Sequence, residues 1–221
     1  MGIKLVQILK YYSILSLVLL VAFLGSAVTA DDFHVINESA FIEGKTLTQP
    51  IKVYGSLSLE GIYAKDSIEV KGSLNCTHST LSQTTIYGSA HIQNVKATGP
   101  VTVYGSASLN QTVIDGYDIN VYGSMSLNNV DISGDVNVKG SLNAHQSRLK
   151  NISAESTQVT LSQVDARNVS FHSQSNNKTQ KLFLKNGSHI SEKIYFESGN
   201  GHVYVESGST YVEVIGGQVH Q

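Results

Sequence analysis

The sequence predicts an all-β chain, a single-stranded β-solenoid (β-helix) of about 17-residue coils preceded by a signal peptide. Three observations carry this. The dipeptide Gly-Ser recurs at Gly55, Gly72, Gly88, Gly105, Gly123 and Gly140, in steps of 17, 16, 17, 18 and 17 residues. The residues around each copy alternate apolar and polar, which is the period of a strand. After residue 30 no stretch shows the three-and-four spacing of an amphipathic helix.

In chain order, residues 1–30 come first. Lys4 and Lys10 are the only charges before Asp31, an apolar run covers Ile14 to Leu24, and small residues lead to Val28 and Ala30. This is a positive n-region, an h-region and a cleavage site, so a Sec signal peptide cut after Ala30 is expected. The alternative is an uncleaved anchor, since the uncharged stretch from Tyr11 to Ala30 is long enough to cross a bilayer. Residues 31–50 are expected to cap the solenoid against edge pairing.

Residues 51–169 carry the repeat. The segments are KVYGSLSL, EVKGSLNC, TIYGSAHI, TVYGSASL, NVYGSMSL and NVKGSLNA. Two places before each glycine stand Val53, Val70, Ile86, Val103, Val121 and Val138; two places after stand Leu57, Leu74, Ala90, Ala107, Met125 and Leu142. The fourth place after holds Leu59, Cys76, Ile92, Leu109, Leu127 and Ala144, and the ninth Ala64, Leu81, Ala97, Ile114, Ile132 and Leu149. Stacking of successive coils in register puts like residues in line, so these four columns are predicted to point inward. The glycine marks either a corner with positive φ or a place too narrow for a Cβ. A second turn cluster follows at Gly99-Pro100, Asp115-Gly116 and Gly134-Asp135. The pattern weakens after Asn151. Residues 170–221 read as a polar loop at 172–180, then strands in KIYFESG, HVYVESG and TYVEVIGG that continue or cap the coil.

Composition excludes several function classes. The net charge of −2, with Lys and Arg scattered singly, argues against nucleic-acid binding and against a basic membrane face. Cys76 is the only cysteine, so disulfides do not hold the fold, and its place in the repeat points to the core. The eight His form no HxxxH or HxH pair, and there is no GxSxG elbow, Walker motif or dinucleotide glycine motif. Asp66, Asp115, Asp131 and Asp135 fall at turn positions, where Asp serves the backbone. Asp115, Asp131 and Asp135 could gather near one corner, yet the Asp-rich nonapeptide of calcium-binding solenoids is missing. Sequons stand at Asn37, Asn75, Asn110, Asn151, Asn168, Asn177 and Asn186. In a eukaryotic secretory protein these would accept glycans; the short leader and plain repeats read as bacterial, and so much Ser and Thr yields several by chance.

Function is expected on the outward columns. Just before the glycines stand Tyr54, Lys71, Tyr87, Tyr104, Tyr122 and Lys139, and just after them Ser56, Ser73, Ser89, Ser106, Ser124 and Ser141. A stripe of Tyr and Lys therefore runs beside a ladder of Ser. Tyr rings can hold sugars or form a lateral self-assembly face; equally, Tyr and Ser suit an exposed parallel sheet.

Over roughly residues 51–152, the V-x-G-S-x-L coils resemble bactofilins, bacterial cytoskeletal solenoids that form polymers, and look like the adhesin-head domains of exported bacterial proteins. The resemblance implies a solenoid that assembles without nucleotide and supplies no catalytic residues. Bactofilins work in the cytoplasm, whereas this chain carries an export signal, which directs the expectation to the periplasm, cell surface or outside. The expected function is an exported, non-enzymatic structural or adhesive protein acting by self-assembly or by surface or glycan binding. The candidate binding residues are Tyr54, Lys71, Tyr87, Tyr104, Tyr122 and Lys139. No catalytic residue, metal, cofactor or nucleic-acid partner is expected, and no membrane span after signal cleavage. The alternative is a carbohydrate-active enzyme on the same scaffold, which needs a groove with clustered carboxylates.

Overall fold

The computed structural model describes residues 33–173 and 178–221. The expected signal peptide, the sequon at Asn177 and part of the expected loop at 172–180 lie outside the described residues. Each coil lays down three short strands. Ile51–Val53, Leu57–Glu60 and Tyr63–Ala64 make one coil; Ile68–Val70, Leu74–Thr77 and Thr80–Leu81 make the next. Every strand pairs in parallel with its counterpart one coil on, as in Ile51↔Ile68, Leu57↔Leu74 and Tyr63↔Thr80. The chain is a parallel β-solenoid of about 11 turns with no helix among the described residues. At the interstrand spacing it is roughly 50 Å long.

Within residues 31–50, His34–Ile36, Ala40–Glu43 and Thr46–Leu47 form a first coil in the register of those that follow. At the other end the two ESG units belong to one coil. Glu197-Ser198-Gly199 follows its first strand and Glu206-Ser207-Gly208 its second, which is why they sit nine residues apart. From Asp131 onward the short strands fuse into Asp131–Val138, Leu142–Ala154 and Gln158–Phe171, and one corner shrinks to a register shift between Ile132 and Asp135.

All four columns predicted to point inward are buried. Two more inward columns interrupt their own apolar pattern. One holds Ile51, Ile68, Thr84, Val101, Ile119 and Val136; the other alternates Ile62, Ser79, Val95, Thr112, Val130 and Ser147. The alternation has a local cause. Ser79 Oγ donates to Thr77 O at 2.7 Å and accepts the Ile62 amide at 3.0 Å. Ser147 does the same with His145 O and the Val130 amide, at 2.7 and 3.1 Å. A buried hydroxyl in every second coil thus satisfies backbone groups that a corner would leave bare.

The two explanations offered for the recurring glycine are separated by the geometry. None of the six has positive φ. Their amides and carbonyls bond along the axis, and a Cβ on Gly72, Gly88, Gly105, Gly123 or Gly140 would stand 2.5–2.6 Å from the preceding glycine's oxygen. Crowding, not φ, requires glycine there. The left-handed corner lies six residues later, at Gly61, His78, Asn94, Gln111, Asn129 and Gln146, with φ between 47° and 61°. A third corner absorbs the changes of period, the extra residue of the 18-residue step falling around Gly116-Tyr117.

Candidate functional site

The stripe is built at the end of each coil's first strand. Alternation buries Val53, Val70, Ile86, Val103 and Val121, so the next residue points out. Its amide is held by the preceding coil: Tyr87 to Val70 O at 2.9 Å, Tyr104 to Ile86 O at 2.8 Å, Tyr122 to Val103 O at 2.9 Å. With the backbone pinned at the coil rise, the rings must stack. Tyr87 and Tyr104 lie 4.9 Å apart at 13°, and Tyr104 and Tyr122 lie 4.8 Å apart at 7°. Each such contact contributes about 0.5–1.5 kcal/mol beyond area burial. The rings remain 43–46% exposed.

All six candidate residues share this column, but not one contact. Lys71 separates Tyr54 from the three-ring stack. Its Nζ lies 3.6 Å from the Tyr87 centroid and 2.5 Å from Glu69 Oε1. Glu69 also takes Lys52 at 3.1 Å, and Lys52 Nζ stands 5.8 Å from the Tyr54 centroid. The hydrogen bond from Lys71 holds the Glu69 carboxyl below the usual range, and the same bond holds the Lys71 ammonium above its own. At the other end of the stack, Lys139 Nζ is 5.4 Å from the Tyr122 centroid and 3.2 Å from Glu155 Oε1.

Sequence reasoning stopped at Lys139 because the Gly-Ser marker stops at Gly140. The column itself continues through Glu155, His172 and Glu197, whose amides bond to Val138 O, Ala154 O and Phe171 O at 2.8, 2.9 and 3.0 Å. His172 Nδ1 lies 3.5 Å from Glu197 Oε2. Counting sixteen and then seventeen residues on from Lys139 would have found the first two of these.

The serine ladder is partly structural. Ser39, Ser56 and Ser73 each accept, through Oγ, the amide of the serine one coil later, at 3.0, 3.3 and 3.2 Å. Beside it, on the second strand column, runs a groove of about 600 Å³ with Phe41 near one end and His91 near the other. Its lining contains no carboxylate.

Chemically the stripe is a line of half-exposed rings and cations. The inner faces of the rings are turned on one another, so the row presents phenol edges and hydroxyls at the coil spacing, with an ammonium at each end. Asp115, Asp131 and Asp135 do not converge: they pair separately with Lys96 at 3.9 Å, Arg148 at 2.5 Å and Asn151 at 2.8 Å. Among the described residues no group of three or more His, Cys, Asp or Glu is placed to hold a metal ion, and no helix is long and apolar enough to cross a membrane. Set beside protein-family models, curated proteins and solved structures, the chain matches none.

Proposed function

We propose that this chain is an exported, non-enzymatic structural or adhesive protein that makes contact through its Tyr and Lys stripe, either with a glycan-bearing surface or with copies of itself. The observation that carries this reading is the Tyr87–Tyr104–Tyr122 stack with a lysine at each end. Exposed aromatic rings are the side chains from which interfaces are most often built. Stacking already restrains these rings, so little rotamer freedom remains to be lost on binding. The same contact recurs coil after coil, which suits a repeating partner, since linked weak contacts add through effective concentration.

The test compares the purified chain with its Tyr87→Ala, Tyr104→Ala, Tyr122→Ala triple variant. Light scattering and negative-stain microscopy over a concentration series read assembly; retention on cells and on immobilised glycans reads adhesion. The rings lie outside the core, so circular dichroism of the variant should match the parent. The expected result is a loss of assembly or adhesion of about tenfold or more in apparent affinity. Undiminished binding and assembly by the triple variant would refute the stripe.

A further inference from the structure

Just past the Tyr122 end of the ring stack the surface opens into a pocket of about 310 Å³. Its floor is the outward column of the first strands, where Asn120, Asn137 and Ser153 lie in register. Its rim is the stripe: Tyr122, Lys139 and Glu155. His172 also lines it, with Nε2 3.0 Å from Ser153 Oγ. The pocket exists because short polar side chains sit beside long ones across successive coils. Its volume falls at the small end of the range for small-molecule sites, about 300–1,000 Å³.

The two ends of the ring stack differ in a way that matters here. Lys71 Nζ closes over Tyr87 at 3.6 Å, whereas Lys139 is drawn to Glu155 and stands 5.4 Å from the Tyr122 centroid. The Lys139 ammonium thus stands farther from its ring than Lys71 does, and Tyr122, 46% exposed, lines the pocket. Below it, Asn137 Nδ2 donates to Asn120 Oδ1 at 3.0 Å. That bond leaves both N–H donors on Asn120 and the carbonyl oxygen on Asn137 for other partners.

We propose that this pocket is a subsite for one uncharged sugar unit, with the sugar's C–H face on Tyr122 and its hydroxyls on Asn120, Asn137 and the Lys139–Glu155 pair. The charges decide the ligand class. Lys139 and Glu155 offset one another at 3.2 Å, so an anionic ligand meets the carboxylate and a cationic one meets the ammonium. A hydroxyl both donates and accepts, and it matches the mixed array of amide, ammonium and carboxylate. The proposal rests on the adhesive reading above and names what that surface would recognise.

The experiment follows tyrosine ring signals by NMR in the tyrosine-labelled chain during titration with lactose, N,N′-diacetylchitobiose and mannobiose, and with digalacturonate as the anionic probe. A neutral probe is expected to move the Tyr122 signals saturably while Tyr54 stays put. Asn137→Ala, or Ser153→Leu, which fills the floor and keeps both asparagines in the chain, should weaken that binding by about tenfold or more. Glu155→Gln, which leaves Lys139 uncompensated, should turn the preference toward digalacturonate. No Tyr122 response to any neutral probe up to about 50 mM overturns the subsite, as does a response that both floor variants leave intact. If adhesion is lost in the triple tyrosine variant but the floor variants change nothing, the subsite fails and the adhesive reading stands. If the chain neither adheres nor assembles, the broader reading fails as well.

Discussion

Replacing Gly105 with alanine tests the geometry that sets the stripe. The Gly105 amide donates to Gly88 O at 3.0 Å, one link in a column of glycine-to-glycine bonds. A Cβ at this position would stand 2.5 Å from Gly88 O and 2.7 Å from its carbonyl carbon. Both are backbone atoms, so no rotamer change relieves the clash and the coils must part locally. Overpacking of this kind costs about 1–3 kcal/mol. Ladder groups left without partners at a half-buried corner add about 1–3 kcal/mol, for a total of about 2–6 kcal/mol. The control is Gly116→Ala. Gly116 has φ +79° with nothing within 4 Å of a Cβ, so the substitution meets only left-handed strain of about 1–2 kcal/mol. Urea unfolding gives the two losses, and hydrogen exchange locates them, because in a solenoid each coil is coupled mainly to its neighbours. Protection should fall at Tyr104–Ser106 and in the adjoining coils and persist at the far ends. A loss below about 1 kcal/mol for Gly105→Ala, or a larger loss for Gly116→Ala, refutes the argument from crowding.

Three further outcomes follow from single positions. Gln111 holds φ at +48°, so Gln111→Gly removes about 1–2 kcal/mol of strain against about 0.5–1 kcal/mol of added unfolded-chain freedom; the urea midpoint should rise, and a fall would count against the left-handed corner. Cys76 is fully buried and desolvation pushes its thiol up to about 11, with a smaller opposing effect of Ser79. Its folded value lies above its ordinary 9.0, so its contribution is whole below pH 9 and is lost as pH rises toward 11; a Cys76→Val chain should lack that alkaline slope, and rapid iodoacetamide labelling of the native chain would contradict the burial. If the leader is cleaved as proposed, mass spectrometry of the exported protein will find Asp31 as its first residue, and a retained Met1–Ala30 would favour the anchor.

In-register stacking explains how much of this was legible. When each coil lies on the last, a residue type repeated every seventeen positions becomes a physical column, and the four columns with uniform apolar character could be read directly. The two inward columns that escaped contain Thr84, Ser79, Thr112 and Ser147, hydroxyl residues buried because each bonds backbone within its own turn. Their polar members break the apolar alternation, so periodicity alone gives no inward signal for these columns. The left-handed corner escaped for another reason: Gly61, His78, Asn94, Gln111 and Gln146 share a conformation but no side-chain chemistry. The glycine column was visible at once, yet its cause was not. Crowding and positive φ select the same residue, and only the distance from each Cβ position to the next coil separates them.

The stripe shows the same division between membership and mechanism. Periodicity places Tyr54, Lys71, Tyr87, Tyr104, Tyr122 and Lys139 on one line without any knowledge of distance. What the line can do depends on the coil rise. At 4.8–4.9 Å the aromatic neighbours close their inner faces to a ligand, so a row of four tyrosines read from the sequence is in space a stack of three with Tyr54 set apart from it by Lys71. The lysines determine where that stack stops. A cation over a terminal ring is favourable, and it replaces an apolar ring face that would otherwise invite further stacking. Whether the terminal face is then closed depends on the lysine's other partner. Glu69 lies on the coil of Lys71 itself and leaves Nζ against Tyr87, whereas Glu155 lies one coil beyond Lys139 and holds it away from Tyr122. The position of the lysine at this end of the stripe is thus set by a carboxylate outside the recognisable repeat, in the part of the chain where the Gly-Ser marker had already disappeared.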